Sequence, residues 1–167
     1  MANLIDTLHE EGIFTTFTRA IKMTEIVATL REPGAYTMFA PTDAAFAQMK
    51  AEQVEGLFED YYNMSKLVKY HIALGIYRTT DLLDRIFLKT LEGQRLVIES
   101  SAISGRDTET LQDGTDAHGY VVRDTVTSTL LESITVNGAR ITRGNVSADN
   151  GLIHVIDKVL VPPFMIL

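Results

Sequence analysis

The chain has 167 residues, 46% apolar and 22% charged, a balance typical of one globular domain rather than of a disordered segment. Its formal net charge of −7 argues against nucleic acid and against an anionic membrane surface as partners. The chain contains no cysteine, which excludes disulfides, thiol nucleophiles and thiolate metal sites.

Residues 3–30 carry apolar side chains at helical spacing. These are Leu4, Ile5, Leu8, Ile13, Phe14, Phe17, Ile21, Ile26, Val27 and Leu30. Gly12 interrupts the pattern, and Pro33 followed by Gly34 ends it, since neither residue extends a helix cheaply. The sequence therefore predicts two or three short helices in this region.

A short buried strand is predicted at residues 35–40, because AYTMFA is apolar and rich in aromatic and β-branched residues. The helical turn of residues 44–49 follows directly. Thr42 or Asp43 should cap this turn, since either side-chain oxygen can accept a hydrogen bond from the first free amides. For Asp43 we favour this capping role over a catalytic one.

Two further amphipathic segments cover residues 54–61 and 64–72. His71 lies three and four residues after Val68 and Leu67, so it should point toward the core rather than into water. A lone histidine in that position is usually a hydrogen-bonded core residue.

From residue 86 onward the apolar pattern favours strands. Residues 86–91 and 95–99 flank a short hairpin connection, and Asn137 with Gly138 favours a type I′ turn. Residues 152–161 are apolar on both alternating faces, as in a central strand. Helices followed by strands with tight hairpins indicate an α+β fold with a largely antiparallel sheet.

Residues 100–133 differ in composition, with eleven serines or threonines and six acidic residues against two basic ones. They predict a solvated excursion that contains one strand candidate, residues 120–126. As an added sheet edge, this strand could support a homodimer. Asp113, Asp116 and His118, near Asp107 and Glu109, are the weak candidates for metal ligands. The tight spacing and closing glutamate of a calcium loop are absent, so we expect no metal.

No direct membrane insertion is expected at either end. Residues 1–11 include three acidic residues and a histidine where a signal peptide needs a basic start and an apolar run: Asp6, His9, Glu10 and Glu11. The apolar stretch 151–167 is interrupted by His154, Asp157, Lys158, Pro162 and Pro163. The protein should be extracellular or at the cell surface if a leader was removed, and cytoplasmic if Met1 is the native start.

Several blocks together resemble the fasciclin domain. They are YTMFAPTDAAFA at 36–47, Tyr70 with His71, VNGA at 136–139 and NGLIHVIDKVLVPP at 150–163. The opening NLIDTLHEEGIFTTFTRAI is also similar. The resemblance implies one domain over 1–167, interrupted by the acidic Ser/Thr-rich insertion at about 100–133. It further implies a wedge-shaped β-sandwich with short helices along one edge, with Phe39 and Phe46 in its core.

The resemblance also implies candidate binding residues. In some animal members a Tyr-His motif flanked by branched apolar residues is linked to integrin binding, and Tyr70 with His71 is similar to it. The competing interpretation is that this pair only holds its helix in the core. The family's Asp-Ile pair corresponds to Asn145 and Val146. The missing carboxylate puts integrin-type recognition in doubt, because a neutral amide is a weak ligand for a hard cation.

The other family residues, Thr42, Asp43 and His154, have a structural role in this interpretation. Asn63 and Asn145 begin Asn-x-Ser triplets, which are formal glycosylation acceptors.

Enzymatic motifs are absent from the sequence. It has no Gly-x-Ser-x-Gly elbow, phosphate-binding glycine loop or His-Glu-x-x-His helix, and its four histidines lie far apart. We therefore expect a non-enzymatic adhesion module without a cofactor, which binds a cell-surface or matrix protein or a polysaccharide. The alternative is an enzyme or small-ligand-binding protein with a pocket near Tyr70, His71 and the turn of Pro41, Thr42 and Asp43.

Overall fold

The computed structural model describes residues 2–100, 134–163 and 165. Its helices are α1 (Leu4–Glu11), α2 (Thr15–Lys22), α3 (Ile26–Arg31), α4 (Asp43–Ala47), α5 (Ala51–Phe58), α6 (Tyr61–Lys69) and α7 (Thr79–Leu82). Its strands are β1 (Tyr36–Pro41), β2 (Ile72–Leu74), β3 (Phe87–Lys89), β4 (Arg95–Ser100), β5 (Ile134–Val136), β6 (Ala139–Ala148) and β7 (Gly151–Ile156). The strand candidate at 120–126 and the weak metal candidates Asp113, Asp116 and His118 lie outside the described residues.

Both ends of α1 are marked by a residue type that favours a helix terminus. Asn3 caps α1, since its side-chain oxygen accepts a hydrogen bond from the Asp6 amide at 2.8 Å. Gly12 ends α1 in the left-handed conformation, with φ of 76°. The predicted break at Gly12 and the prediction of two or three helices over residues 3–30 are confirmed.

The strands form one seven-stranded sheet with the order β2-β1-β7-β6-β5-β4-β3 among the described residues. β7 lies in the interior of the sheet, between β1 and β6, and all six of its residues are buried. It pairs with β1 in parallel, from Tyr36 opposite Gly151 to Pro41 opposite Ile156, whereas the other pairs are antiparallel. A Cβ on Gly151 would overlap the Tyr36 carbonyl oxygen, so this close approach of β1 and β7 requires glycine. The sequence predicted a buried interior strand here, although with an end at residue 161 rather than at Ile156, and it did not predict the parallel partner.

Two hairpin turns have the predicted chemistry. Asn137 and Gly138 join β5 to β6 with φ values of 50° and 84°, the positive values that a type I′ turn requires. Gly93 supplies a φ of 108° in the connection between β3 and β4. Both predicted hairpins are confirmed.

The two end strands of the sheet, β2 and β3, approach each other. The Leu91 amide donates a hydrogen bond to the Ile72 carbonyl at 2.8 Å and links the two ends. The sheet therefore bends until it is nearly closed into a barrel, as strand twist allows. The predicted α+β class is confirmed. The predicted sandwich is not, because the described strands form one bent sheet rather than two sheets packed face to face.

The described residues form two hydrophobic cores, one on each face of the sheet. The helical core lies between the helices and the sheet and includes Leu4, Phe17, Ile21, Met64, Leu67 and Ile153. The barrel core fills the inside of the bent sheet and includes Phe39, Tyr70, Leu88, Leu96, Ile141 and Ile156. Alternation along β1 divides its side chains, since Met38 and Ala40 join the helical core and Phe39 the barrel core. Phe39 and Phe46 are both buried, as predicted.

No helix in the described part of the chain is long and apolar enough to cross a membrane.

Candidate functional site

His71 lies between α6 and β2 and is fully buried. Its Nε2 accepts a hydrogen bond from the Leu160 amide at 3.0 Å, which leaves the ring proton on Nδ1 to donate to the Leu67 carbonyl at 2.7 Å. Burial lowers the pKa of His71 from 6.5 to about 4, although the hydrogen bond to Leu67 opposes this shift. The imidazole is therefore neutral, and both of its nitrogens are engaged within the fold.

Tyr70 points into the barrel core instead. Its hydroxyl donates to the Arg95 carbonyl at 2.9 Å and accepts from the Asn137 side-chain amide at 2.8 Å. Burial raises the pKa of the Tyr70 phenol, while the hydrogen bond from Asn137 opposes this change. Tyr70 thus ties α6 to β4 and to the β5–β6 turn.

Tyr70 and His71 do not line a common pocket with the turn of Pro41, Thr42 and Asp43. Tyr70 belongs to the barrel core, whereas the ring of His71 packs 5.2 Å from that of Phe17 in the helical core. Both side chains are buried.

Asn145 lies at an irregularity of β6 and has a φ of 59°. Its side-chain oxygen accepts from the Thr79 amide at 3.1 Å, and its side-chain nitrogen donates to the Thr79 hydroxyl at 3.0 Å. This amide therefore binds the first residue of α7. Val146 is half-buried and pairs with Ile153 of β7.

The sheet keeps the two candidate binding pairs apart. Tyr70 and His71 immediately precede β2, whereas Asn145 and Val146 lie on β6, and β1 and β7 separate these strands.

His154 is a second buried histidine with both ring nitrogens bonded. Its Nδ1 accepts from the Asn145 amide at 3.1 Å, and its Nε2 donates to the Tyr77 carbonyl at 2.7 Å. Its ring lies 5.6 Å from the Phe39 ring. Burial lowers the pKa of His154, against the effect of the hydrogen bond to Tyr77. His154 holds β6 and the segment before α7 against β7.

Thr42 and Asp43 start two different helices. The Thr42 hydroxyl caps α4 by accepting from the Ala45 amide at 3.2 Å. The Asp43 carboxylate instead accepts from the Thr16 amide at 2.8 Å and the Thr15 hydroxyl at 2.7 Å, in the first turn of α2. The N-cap residue of α2 is Phe14, which has no side-chain acceptor. Sequence reasoning missed this long-range cap.

The ionisation of Asp43 is consistent with that role. Partial burial opposes the charged form, but the hydrogen bonds from Thr16 and Thr15 outweigh it and lower the pKa of the carboxyl. A carboxylate is also favoured near the positive end of a helix.

Metal-ligating side chains are not grouped in the described part of the chain, where no three His, Asp or Glu residues lie close enough to hold an ion. Asn63, one of the formal glycosylation acceptors, donates from its side chain to the Asp60 carboxylate at 3.0 Å in the first turn of α6.

Exposed apolar side chains gather where β2 and β3 meet, a surface that sequence reasoning missed. They are Leu74, Ile76, Ile86, Phe87 and Val97. Ile86 and Leu74 are 75% and 65% exposed, unlike Leu88, which alternation turns into the barrel core. The available signal was the adjacent pair Phe87 and Leu88, since a strand with one buried face cannot bury both.

All of these side chains except Val97 line a groove between β2 and β3, here called the seam groove. It consists of two depressions of about 640 Å³ and 750 Å³ that share Tyr77, Arg85 and Phe87. The Arg85 guanidinium lies 4.5 Å from the centre of the Tyr77 ring, and that of Arg95 lies 4.2 Å from the centre of the Phe87 ring. These contacts hold both cations at the groove.

Cationic and acidic side chains lie toward different ends of the seam groove. Arg85, Lys89 and Arg95 line the larger depression, and none of them forms an ion pair with a carboxylate in the described residues. Asp81 and Asp84 line the smaller one, together with Arg85. The groove is therefore apolar along its walls, cationic at one end and acidic at the other.

Comparison with known proteins gives consistent matches. The family model of the Fasciclin domain matches residues 12–162. The uncharacterized protein sll1735 of Synechocystis is 25% identical over 160 residues, which cover 96% of this chain and 98% of that protein. Human periostin is 27% identical over 158 residues, which cover 94% of this chain but only 15% of periostin.

A solved structure shows the same fold. It is the FAS1 domain pair from the insect cell adhesion molecule fasciclin I, with a TM-score of 0.70 and 17% identity. The match covers 97% of this chain and 51% of that one, so this chain spans about half of the pair.

Proposed function

This chain belongs to the fasciclin domain family, and from that premise we propose that it is a non-enzymatic adhesion module that binds a macromolecular partner through the seam groove. The partner is a protein or polysaccharide of a cell surface or extracellular matrix. The solved relative supports this proposal, because its FAS1 domain pair comes from a cell adhesion molecule.

The observation that carries the proposal is the group of exposed apolar side chains along the seam groove. Leu74, Ile76, Ile86 and Phe87 are all more than 40% exposed, although the two cores bury apolar side chains well. A contiguous exposed apolar surface with a polar rim is typical of an interaction site. An open groove also suits a macromolecule better than a small ligand, which usually binds in an enclosed cavity.

The two buried histidines support a non-enzymatic role. His71 and His154 each have both ring nitrogens bonded within the fold, and each has a lowered pKa. A general base must reach the proton that it removes. The alternative, an enzyme or ligand carrier with a pocket near Tyr70 and His71, would require both residues to leave their cores.

The family motifs then have structural roles in this proposal. Tyr70 and His71 hold α6 to the sheet, and Asn145 holds α7 to β6. Partner contact falls instead to residues of the seam groove.

A cell-retention assay tests this proposal. Surfaces coated with the protein should retain cells of the source organism, and the double variant Ile86→Ser, Phe87→Ser should lose most of this retention. The matched control Ile13→Ser, Tyr62→Ser also removes two exposed apolar side chains, but away from the groove, and should retain cells as the unmodified protein does. Equal retention by the two double variants, or no retention by the unmodified protein, would contradict the proposal.

A further inference from the structure

Building on the proposed function, we propose that the seam groove binds an extended acidic segment of a partner protein, which pairs through its backbone with the edges of β2 and β3. Two features support this proposal: the direction of the backbone groups at both edges and the charges beside them.

The register of β2 directs part of its backbone into the groove. The Phe39 amide donates to the His71 carbonyl at 2.8 Å, and the Gly75 amide donates to the Ala35 carbonyl at 2.7 Å. In an antiparallel pair, hydrogen-bonded and non-hydrogen-bonded positions alternate. The amide and carbonyl of Leu74 therefore point away from β1 and toward β3.

The same reasoning applies to β3. The Thr90 amide donates to the Gln94 carbonyl at 3.1 Å, and the Ile98 amide donates to the Ile86 carbonyl at 2.8 Å. The intervening backbone groups of Phe87 and Lys89 consequently point away from β4 and toward β2.

The two edges face each other without forming a ladder. The bond from Leu91 to Ile72 would place Lys89 opposite Leu74 in an antiparallel register. β2 and β3 nevertheless remain at opposite ends of the strand order, and the larger depression lies between them. Strand edges with outward-facing amides and carbonyls are templates for an added strand.

The cations beside the groove favour an acidic sequence in the added strand. Lys89 and Arg95 lie directly opposite each other in the β3–β4 pair, an arrangement in which like charges repel. Neither forms an ion pair within the described residues, although the whole chain carries a net charge of −7. A carboxylate between them would relieve the repulsion. The end of the groove that carries Asp81 and Asp84 should repel acidic side chains. The acidic side chains of the partner therefore belong at the end that carries Lys89.

These features favour a peptide over a polysaccharide. A polysaccharide lacks the regular amides that would match the Leu74, Phe87 and Lys89 backbone groups. Apolar side chains at alternate positions of a strand would also reach the exposed walls of the groove.

The test uses the whole protein and the synthetic peptide fluorescein-Ser-Glu-Val-Glu-Ile-Ser-Val-Ser-amide, whose two carboxylates lie at one end, with binding followed by fluorescence anisotropy. Binding should be saturable and should weaken by about tenfold or more in the double variant Lys89→Glu, Arg95→Glu. The control Lys22→Glu, Arg31→Glu makes the same charge change at the ends of α2 and α3 and should bind like the unmodified protein. The same peptide methylated on every second backbone nitrogen should lose binding, because it cannot pair with both edges.

A polysaccharide or a second copy of the chain in the groove would give results that differ from those expected for the peptide. The proposal is overturned if the peptide does not bind saturably, if charge reversal leaves its affinity unchanged, or if the methylated peptide binds equally well. Binding of heparin but not of the peptide would identify a polysaccharide as the occupant. Self-association in analytical ultracentrifugation that Lys89→Glu, Arg95→Glu abolishes would identify a second copy.

Failure of this inference can be separated from failure of the proposed function. If Lys89→Glu, Arg95→Glu retains cells normally while Ile86→Ser, Phe87→Ser does not, the adhesion role stands and the acidic strand is wrong.

Discussion

The buried centre of the molecule, which comprises the two hydrophobic cores and the residues packed between them, differs from the seam in how completely its groups are satisfied. At the centre, every residue of β7 is buried and both buried histidines have two hydrogen-bonded nitrogens. At the seam, apolar side chains face solvent and three cations have no ion-pair partner among the described residues. The blocks that resemble the family, at residues 36–47, 70–71 and 150–163, belong to the first region. The recognisable residues build the fold, and in our proposal binding falls to less recognisable ones.

The comparison predicts opposite responses to the same kind of mutation. A change at the centre should reduce stability, whereas a change at the seam should reduce binding and leave the fold intact.

The sharpest contrast is between two phenylalanines on strands. Phe39→Ala should destabilise the protein by about 3–5 kcal/mol, because it empties a fully buried site in the barrel core. Phe87→Ala, at a ring that is 45% exposed, should cost less than about 1 kcal/mol despite its contact with Arg95. Urea unfolding of both variants measures the difference. Similar midpoints for the two would show that the centre and the seam do not differ in this way.

The pH dependence of the free energy of unfolding tests whether buried His71 is neutral in the folded protein. Between pH 6.5 and 4 the free energy of unfolding should fall as pH falls, since the unfolded histidine takes up a proton near 6.5 and the folded one only near 4. This pKa difference corresponds to about 3 kcal/mol. Above pH 6.5 the residue is neutral in both states and adds no dependence.

The variant His71→Gln isolates this contribution. Glutamine can still accept from the Leu160 amide and donate to the Leu67 carbonyl, but it does not titrate. Its free energy of unfolding should vary less with pH between 6.5 and 4 than that of the unmodified protein, measured in urea at each pH. Identical pH profiles would mean that His71 is not held neutral by burial.

The long-range cap should have an intermediate effect. Asp43→Ala should cost about 1 kcal/mol, because the first turn of α2 loses the acceptor for the Thr16 amide and the Thr15 hydroxyl. Asp149→Ala removes an exposed carboxylate and should change stability by less than about 0.5 kcal/mol. Thermal unfolding of the two variants at one pH provides the measurement, and equal melting temperatures would rule out the cap.

The smallest effect on stability is expected at the seam. Ile86→Ser should change the free energy of unfolding by less than about 0.5 kcal/mol, because the side chain is 75% exposed. Leu88→Ser, two residues along the chain, should cost at least about 2 kcal/mol because Leu88 is in the barrel core. A large loss in Ile86→Ser would mean that this residue supports the fold and is not free to contact a partner.

The sequence predicted the elements whose signals are local. Gly12 marked the end of α1, Asn137 and Gly138 marked the β5–β6 turn, and the unbroken apolar run marked β7. Each signal depends on residues close together in the chain, so one sequence is sufficient to read it.

The missed features depend on contacts between distant parts of the chain. The acceptor for α2 comes from Asp43, on another helix, while Phe14 at the N-cap gives no sign of it. The exposure of Ile86 and Phe87 follows from the strand order, which leaves β2 and β3 as facing edges. Apolar spacing shows that a residue can be buried but not which strand will cover it.

The place of β7 in the sheet has a consequence for synthesis. β7 is the last strand along the described part of the chain, yet it lies between β1 and β6 and joins the pair β2-β1 to the other four described strands. Until the ribosome has made residue 156, β1 lacks its parallel neighbour, and the apolar side chains of both cores have no complete surface to pack on. Such distant pairing is slow to form, and a nascent chain with exposed apolar strands is prone to aggregation. The cell therefore synthesises most of this domain before the strand that joins the two parts of its sheet is available.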